Sequence, residues 1–215
     1  MLRRPGGAVP QVQMVFHAPA ASDPQFFPAL LLDGVLSGFK GPGVFGGEAM
    51  GVRSSRLYRA LVEQQLAVDA GSGFRPTVDP TLFEIGATLR PGVAPDRAEA
   101  VVLDELKRLG DEPVPRDELE KVLKQARAQW VYAGDGVSRQ AVLLGSTEIV
   151  ADGEYLSRFL DRLTAVTPEV MQQVAHRLFT DRNRTVGWYI PEAGPAEVAQ
   201  TRDGARQAAE AAAHE

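Results

Sequence analysis

The sequence contains no cysteine. Disulfides, thiolate metal sites and a cysteine nucleophile are thereby excluded, and the usual marker of redox compartment is lost with them. Histidine is nearly as scarce. His17, His176 and His214 are the only ones, and none lies within four residues of another. Zinc needs at least three converging donors, commonly with two of them on one helical turn, so the pattern predicts no metal centre. Basic charge is in deficit: the net charge is -5, and cations alternate with acids, as at Arg97/Glu99 and Glu120/Lys121. A nucleic-acid binder would present a basic face, and this chain reads as one with solvated helix surfaces instead. No apolar run approaches the ~20 residues of a membrane-spanning helix. The opening Met1-Leu2-Arg3-Arg4-Pro5-Gly6-Gly7 carries charge without an apolar segment behind it, so no signal peptide is expected there. The compartment stays open between a bacterial cytoplasm and periplasm. No Gly-x-Ser-x-Gly or Ser/His/Asp order marks a hydrolase nucleophile.

What is present is an ordinary globular composition, 44% hydrophobic and 24% charged over 215 residues, enough to bury one substantial core. Val12, Met14 and Phe16 alternate with polar neighbours, predicting a strand that ends at His17. Ser22-Asp23-Pro24 reads as a helix start, followed by Phe27, Leu30, Leu31 and Val35 on one face and a stop at Gly38. Five glycines and a proline between Gly41 and Gly51 predict a loop. A helix is expected from Ser54 to Gln65. A hairpin follows, with arms over Leu66–Phe74 and Thr81–Arg90. In the second arm Phe83, Ile85, Ala87 and Leu89 alternate with Leu82, Glu84, Gly86 and Thr88, which predicts one buried face.

Helical spacing then recurs from Pro95 to Leu109, with Gly110 placed as a C-terminal cap. From Pro115 to Val150 a long helical region shows a stripe of Leu119, Val122, Leu123, Ala126 and Trp130, broken at Gly134-Asp135-Gly136. Two shorter helices carry Leu156, Phe159, Leu160 and Leu163, and then Val170, Met171, Val174, Ala175 and Leu178, the second opened by Thr167-Pro168-Glu169. Arg184 to Ile190 predicts a closing strand. The region 194–215 is rich in Ala, Glu and Gln and reads as a tail or linker stub. Without βαβ alternation, this order predicts an α+β fold, an antiparallel sheet with helices packed on one face, over residues 1–193.

Four segments, taken in order, resemble the M16 (insulinase-like, pitrilysin-like) zinc metallopeptidases. They are Val12–Pro24, the Ser54-Ser55-Arg56-Leu57-Tyr58 stretch with Leu61 and Glu63, Leu144–Val170, and Asn183-Arg184-Thr185-Val186. The resemblance implies a metallohydrolase-like lobe that encloses peptide substrate together with an active lobe or subunit bearing His-x-x-Glu-His. Zinc would sit only in that partner. Because no such motif occurs here, the resemblance implies the inactive, C-terminal-type lobe, with no catalytic residue, metal ligand or cofactor of its own. A second copy of the chain is an alternative partner, and a purely structural subunit of core-protein type is the alternative function.

Related inactive lobes supply an arginine and a tyrosine near the scissile bond, and these positions fall on Val62 and Val68. Neither valine can donate a hydrogen bond. Either transition-state help comes from elsewhere, with Arg56, Arg59 and Arg75 as candidates, or the lobe only binds and encloses; Glu84 stands beside the three arginines as a substrate-contact candidate. Gly41-Pro42-Gly43-Val44-Phe45-Gly46 satisfies Gly-x-Gly-x-x-Gly, but a helix precedes it and proline removes a donor, so a nucleotide-binding reading is poor.

Overall fold

The computed structural model describes residues 2–5, 9–42, 52–151 and 154–192. The glycine-rich stretch from residue 43 to 51, with Phe45 and Met50, lies outside these residues, as do Gly153, His214 and the 194–215 tail. The chain builds a five-stranded sheet in the order β1-β5-β2-β4-β3, from β1 (Leu2–Pro5), β2 (Gln11–Ala18), β3 (Ala67–Gly73), β4 (Thr81–Leu89) and β5 (Arg184–Glu192). The central β2, β4 and β5 pair antiparallel, as does β3 on β4, whereas β1 joins β5 in parallel. The expected α+β architecture is present, with one parallel edge strand added. β5 also runs through Pro191, where a stop was expected. At that position it faces β1, an edge strand, where the missing N–H interrupts the fewest bonds.

Among the described residues, six α-helices lie on one side of this sheet: α1 (Phe26–Ser37), α2 (Pro95–Asp111), α3 (Arg116–Ala133), α4 (Val137–Val150), α5 (Tyr155–Thr164) and α6 (Pro168–Leu178). They form two tiers. α1, α2 and α6 touch the sheet, while α3 and α5 pack on α1 from outside, and α4 packs mainly on α3 and α5. This arrangement corrects the one-faced reading of α1. Every residue from Phe26 to Ser37 is buried, because the helix has the sheet beneath it and helices above it; a helix apolar all round is one covered all round. Its start also moves. Asp23 Oδ1 accepts from the Gln25 N–H at 2.7 Å, so the acid closes a turn ahead of a helix that has no side-chain cap.

Two further expectations change. The stretch from Ser54 to Gln65 is not a regular helix. It forms a brief turn that widens into one π-helical turn, Tyr58–Val62, with Glu63 N–H bonding Tyr58 O. That turn keeps Leu57 and Leu61 fully buried, and Gln65, at φ 61°, reverses the chain into β3. Gly110 is not a cap: α2 continues to Asp111, and a Cβ at Gly110 would come within 3.4 Å of the His176 Cα. The missing side chain lets α2 and α6 approach backbone to backbone.

One core unites the sheet and the helices. Met14, Phe16, Phe83 and Ile85 point from the sheet into the helical side. Phe26, Phe27, Tyr155 and Phe159 form an aromatic cluster beyond them, and Trp130 stacks on Phe159 at 5.4 Å. Trp188 packs at the margin and donates to Glu99 Oε2 at 2.8 Å.

Candidate functional site: the open sheet face and its edge

With all six helices on one side, the opposite face of the sheet carries none of them. Register fixes what that face displays. Gln13 pairs with Gly86 on one side and Gly187 on the other, and Gly86 in turn pairs with Gly71, so a row of glycines crosses the sheet with one glutamine in it. The next row runs Thr185, Val15, Glu84 and Gly73. The Gln13 carboxamide lies over Gly86: a Cβ there would meet its Oε1 at 2.8 Å. Gln13, Gly86 and Gly71 of the first row and Glu84 and Gly73 of the second line a depression of about 340 Å³ that Gln11 and Asp69 also border. Leu82 and Glu84 are exposed while Phe83 and Ile85 are buried, as the alternation predicts. At the end of the sheet, β3 pairs only with β4, so among the described residues its outer edge carries no strand.

The candidate residues do not converge. Arg56 forks onto Glu118, with Nη2–Oε2 at 2.7 Å and Nε bonding both carboxylate oxygens. Glu118 lies in the first turn of α3, where an acid is favoured by the helix dipole. Arg59 reaches the same carboxylate only at 3.7 Å and is 55% exposed along its side chain. Both border a second groove of about 650 Å³ between the π-helical turn and α2, apart from the glycine rows. Arg75 is exposed just beyond β3, and Glu84 stands on the open face. Val62 packs against the core, whereas Val68 is 58% exposed, beside the register shift between Ala67 and Asp69.

The described residues bring no set of zinc ligands together. His17 and His176 are exposed on separate elements, and among the described residues no three His, Asp or Glu side chains converge. Asn183, which opens the Asn183-Arg184-Thr185 sequon, spends its amide on the carbonyls of His17 and Leu178 at 2.9 and 2.8 Å.

Sequence reasoning passed over one polar constellation entirely. Asp33 is 2% exposed inside α1. Its Oδ1 accepts from Ser72 Oγ at 2.6 Å and its Oδ2 from Lys40 Nζ at 2.7 Å; Lys40 also donates to Ser37 Oγ at 2.8 Å, and the two serine hydroxyls lie 2.9 Å apart. Burial pushes the Asp33 carboxyl above its ordinary range, against the pull of Lys40 and Ser72. The available signal was an acid inside the apolar run from Phe26 to Leu36.

Among the described residues, the fold is a helix-backed sheet that leaves one face free of helices and the outer edge of β3 without a strand. The model of the peptidase M16 inactive domain matches residues 2–126, and the chain belongs to that family. The inactive peptidase domain assigned to a zinc protease from Bordetella parapertussis is 28% identical, with a TM-score of 0.75 over 90% of this chain and 98% of that one. A protease from Helicobacter pylori shares the fold, with a TM-score of 0.77 at 19% identity over 88% of this chain and 43% of its own. A chain of Complex III2 from Candida albicans also shares it, at 12% identity and a TM-score of 0.70, over 87% of this chain and 44% of its own. No curated protein matches the sequence.

Proposed function

We propose that this domain is the substrate-enclosing, non-catalytic half of an M16 zinc peptidase, closing a chamber with an active lobe that carries His-x-x-Glu-His. The observation that carries the reading is the two-faced sheet: one side is covered by two helical tiers, and among the described residues the other carries no helix and is bordered by the unpaired edge of β3. An extended peptide can add to such an edge through main-chain bonds alone. An exposed apolar surface on α4 and the end of α3 supports dependence on a partner. Val137, Val142, Leu144 and Ile149 are all exposed, as are Val131 and Tyr132, and α4 fully buries only Thr147. Apolar surface of this extent is costly to leave in water and favours a lobe–lobe contact. The likeness to a chain of Complex III2 favours a second reading, a structural subunit without proteolysis.

The test reconstitutes an active M16 lobe with this domain and follows cleavage of a quenched peptide. Cleavage should require both parts. Val62→Ala and Val68→Ala should leave kcat nearly intact, since neither side chain can donate a hydrogen bond. Loss of a true oxyanion donor would lower kcat by ~10²–10³. Full activity of the active lobe alone would reject the chamber, and assembly without cleavage would favour the structural subunit.

A further inference from the structure

The edge strand β3 is thinly held where it should be flattest. Between the buried Ala70 and Phe74 it runs Gly71-Ser72-Gly73, so Ser72 is the only side chain there that can grip the fold. Glycine in a strand adds backbone freedom and offers nothing to pack. Ser72 faces α1 and donates to Asp33 at 2.6 Å, and Asp33 lies in the one helix whose every residue is buried. A buried carboxylate is costly even when paired, and an apolar side chain would commonly serve packing as well or better. Lys40 extends the same network past the end of α1, reaching Asp33 and Ser37 at 2.7 and 2.8 Å. The helix end, the segment after it and the strand edge are thereby tied to one carboxylate.

We infer that Asp33, Lys40 and Ser72 form a latch that holds the outer edge of β3 in strand geometry, which makes them positioning residues for an extended peptide that pairs there. The inference rests on the enclosing-lobe reading for the identity of that peptide, but not for the latch itself. Asp33 is 2% exposed and the Ser72 hydroxyl is turned onto it, toward α1 and away from the open face. Their effect is therefore on binding: an edge that must first be ordered binds its strand more weakly by the cost of ordering.

Two measurements separate the latch from the lobe reading. In the chain alone, Ser72→Ala should raise hydrogen exchange of the β3 amides bonded to β4 by about tenfold, the loss expected for a hydrogen bond to a charged group. β2 and the interior of β4 should stay protected, and Ser72→Thr should restore β3. In the domain reconstituted with an active lobe, Ser72→Ala should raise KM about three- to tenfold and leave kcat unchanged, the pattern of lost uniform binding. Asp33→Asn serves as a second variant with the same expected direction. Unchanged exchange, or exchange raised equally across the sheet, overturns the latch. Raised β3 exchange with unchanged KM overturns the positioning role while leaving the enclosing lobe intact. Cleavage that never needed the domain rejects the lobe reading, whatever the exchange result.

Discussion

Replacing Ile85 by alanine should be one of the costliest changes in the sheet, and replacing its neighbour Glu84 one of the cheapest. Ile85 is 2% exposed in the middle of β4, opposite Met14 of β2 and Ser72 of β3. Truncation removes three carbons, about 2.4 kcal/mol of transfer free energy at ~0.8 kcal/mol each. A strand bonded on both sides cannot collapse into the cavity, so the total should reach about 3–4 kcal/mol, within the ~2–5 range for such truncations. Glu84 points the other way, is exposed, and enters no ion pair among the described residues. Its alanine variant should stay within about 0.5 kcal/mol of the parent. At ~2–4 °C per kcal/mol for a domain of this size, Ile85→Ala should melt about 6–16 °C lower. Circular dichroism melts and urea midpoints at unchanged m value would measure both variants. A Glu84→Ala cost as large as that of Ile85→Ala would mean that a layer covers both faces, and the open face on which the functional reading rests would be wrong.

Two other predictions probe the helices. A Cβ on Gly34 would sit 2.6 Å from Val122 Cγ1, a side chain 3% exposed and stiff about χ1, so Gly34→Ala should lose more to overpacking than the ~1 kcal/mol that alanine gains in a helix. Combined with Val122→Ala, which removes the obstructing methyl group, it should show a favourable coupling of about 1 kcal/mol or more in urea unfolding; additivity within ~0.5 kcal/mol would contradict the close α1–α3 crossing. Lys40→Met strips the buried Asp33 of its opposing charge, leaving burial to raise the carboxyl further above its ordinary 3.8. A raised acid contributes its full stability below that value and loses it as pH climbs through the folded-state value, so the variant's deficit should widen from about pH 4 upward. A deficit constant across pH would show that the lysine does not act on Asp33.

What the sequence made legible were the features with short-range causes. β2 and β4 announce themselves by alternation, and the buried and exposed residues fall where that alternation puts them. α6 carries its own start in Thr167, whose hydroxyl accepts from Val170 N–H, and in Pro168. The misreadings came from tertiary causes. Leu2–Pro5 has no strand pattern of its own and becomes a strand by lying beside Tyr189–Glu192, more than 180 residues later in the sequence. α1 looked one-faced because the outer helical tier that covers it lies later in the sequence. Gly110 carries the signature of a cap, but the need it meets is the approach of His176 on another helix. The Asp33–Ser72 bond joins residues 39 apart, and nothing in either local pattern links them.

The structure also orders the cationic candidates that sequence alone left equal. For Arg56 to reach a substrate carbonyl, it must leave a bidentate, largely buried pair with Glu118, in which both side chains are under 20% exposed. Hydrogen bonds to charged groups contribute about 1.5–3 kcal/mol, and the carboxylate left behind would remain partly desolvated. That loss would offset most of what a new bond to substrate could supply. Arg59 gives up far less, because its contact is 3.7 Å long and its side chain is mostly in water. Arg75 gives up least. It is exposed, joins none of the ion pairs among the described residues, and follows the edge strand directly. If an arginine of this domain assists an active lobe, free energy favours Arg75 first and Arg59 second, with Arg56 kept for architecture. Arg75→Ala should then lower kcat in the reconstituted pair without moving the melting point, while Arg56→Ala should do the reverse. The opposite pattern, a stable Arg56 variant with a large loss of kcat, would show that the Glu118 pair opens during turnover and that its cost is met by the transition state.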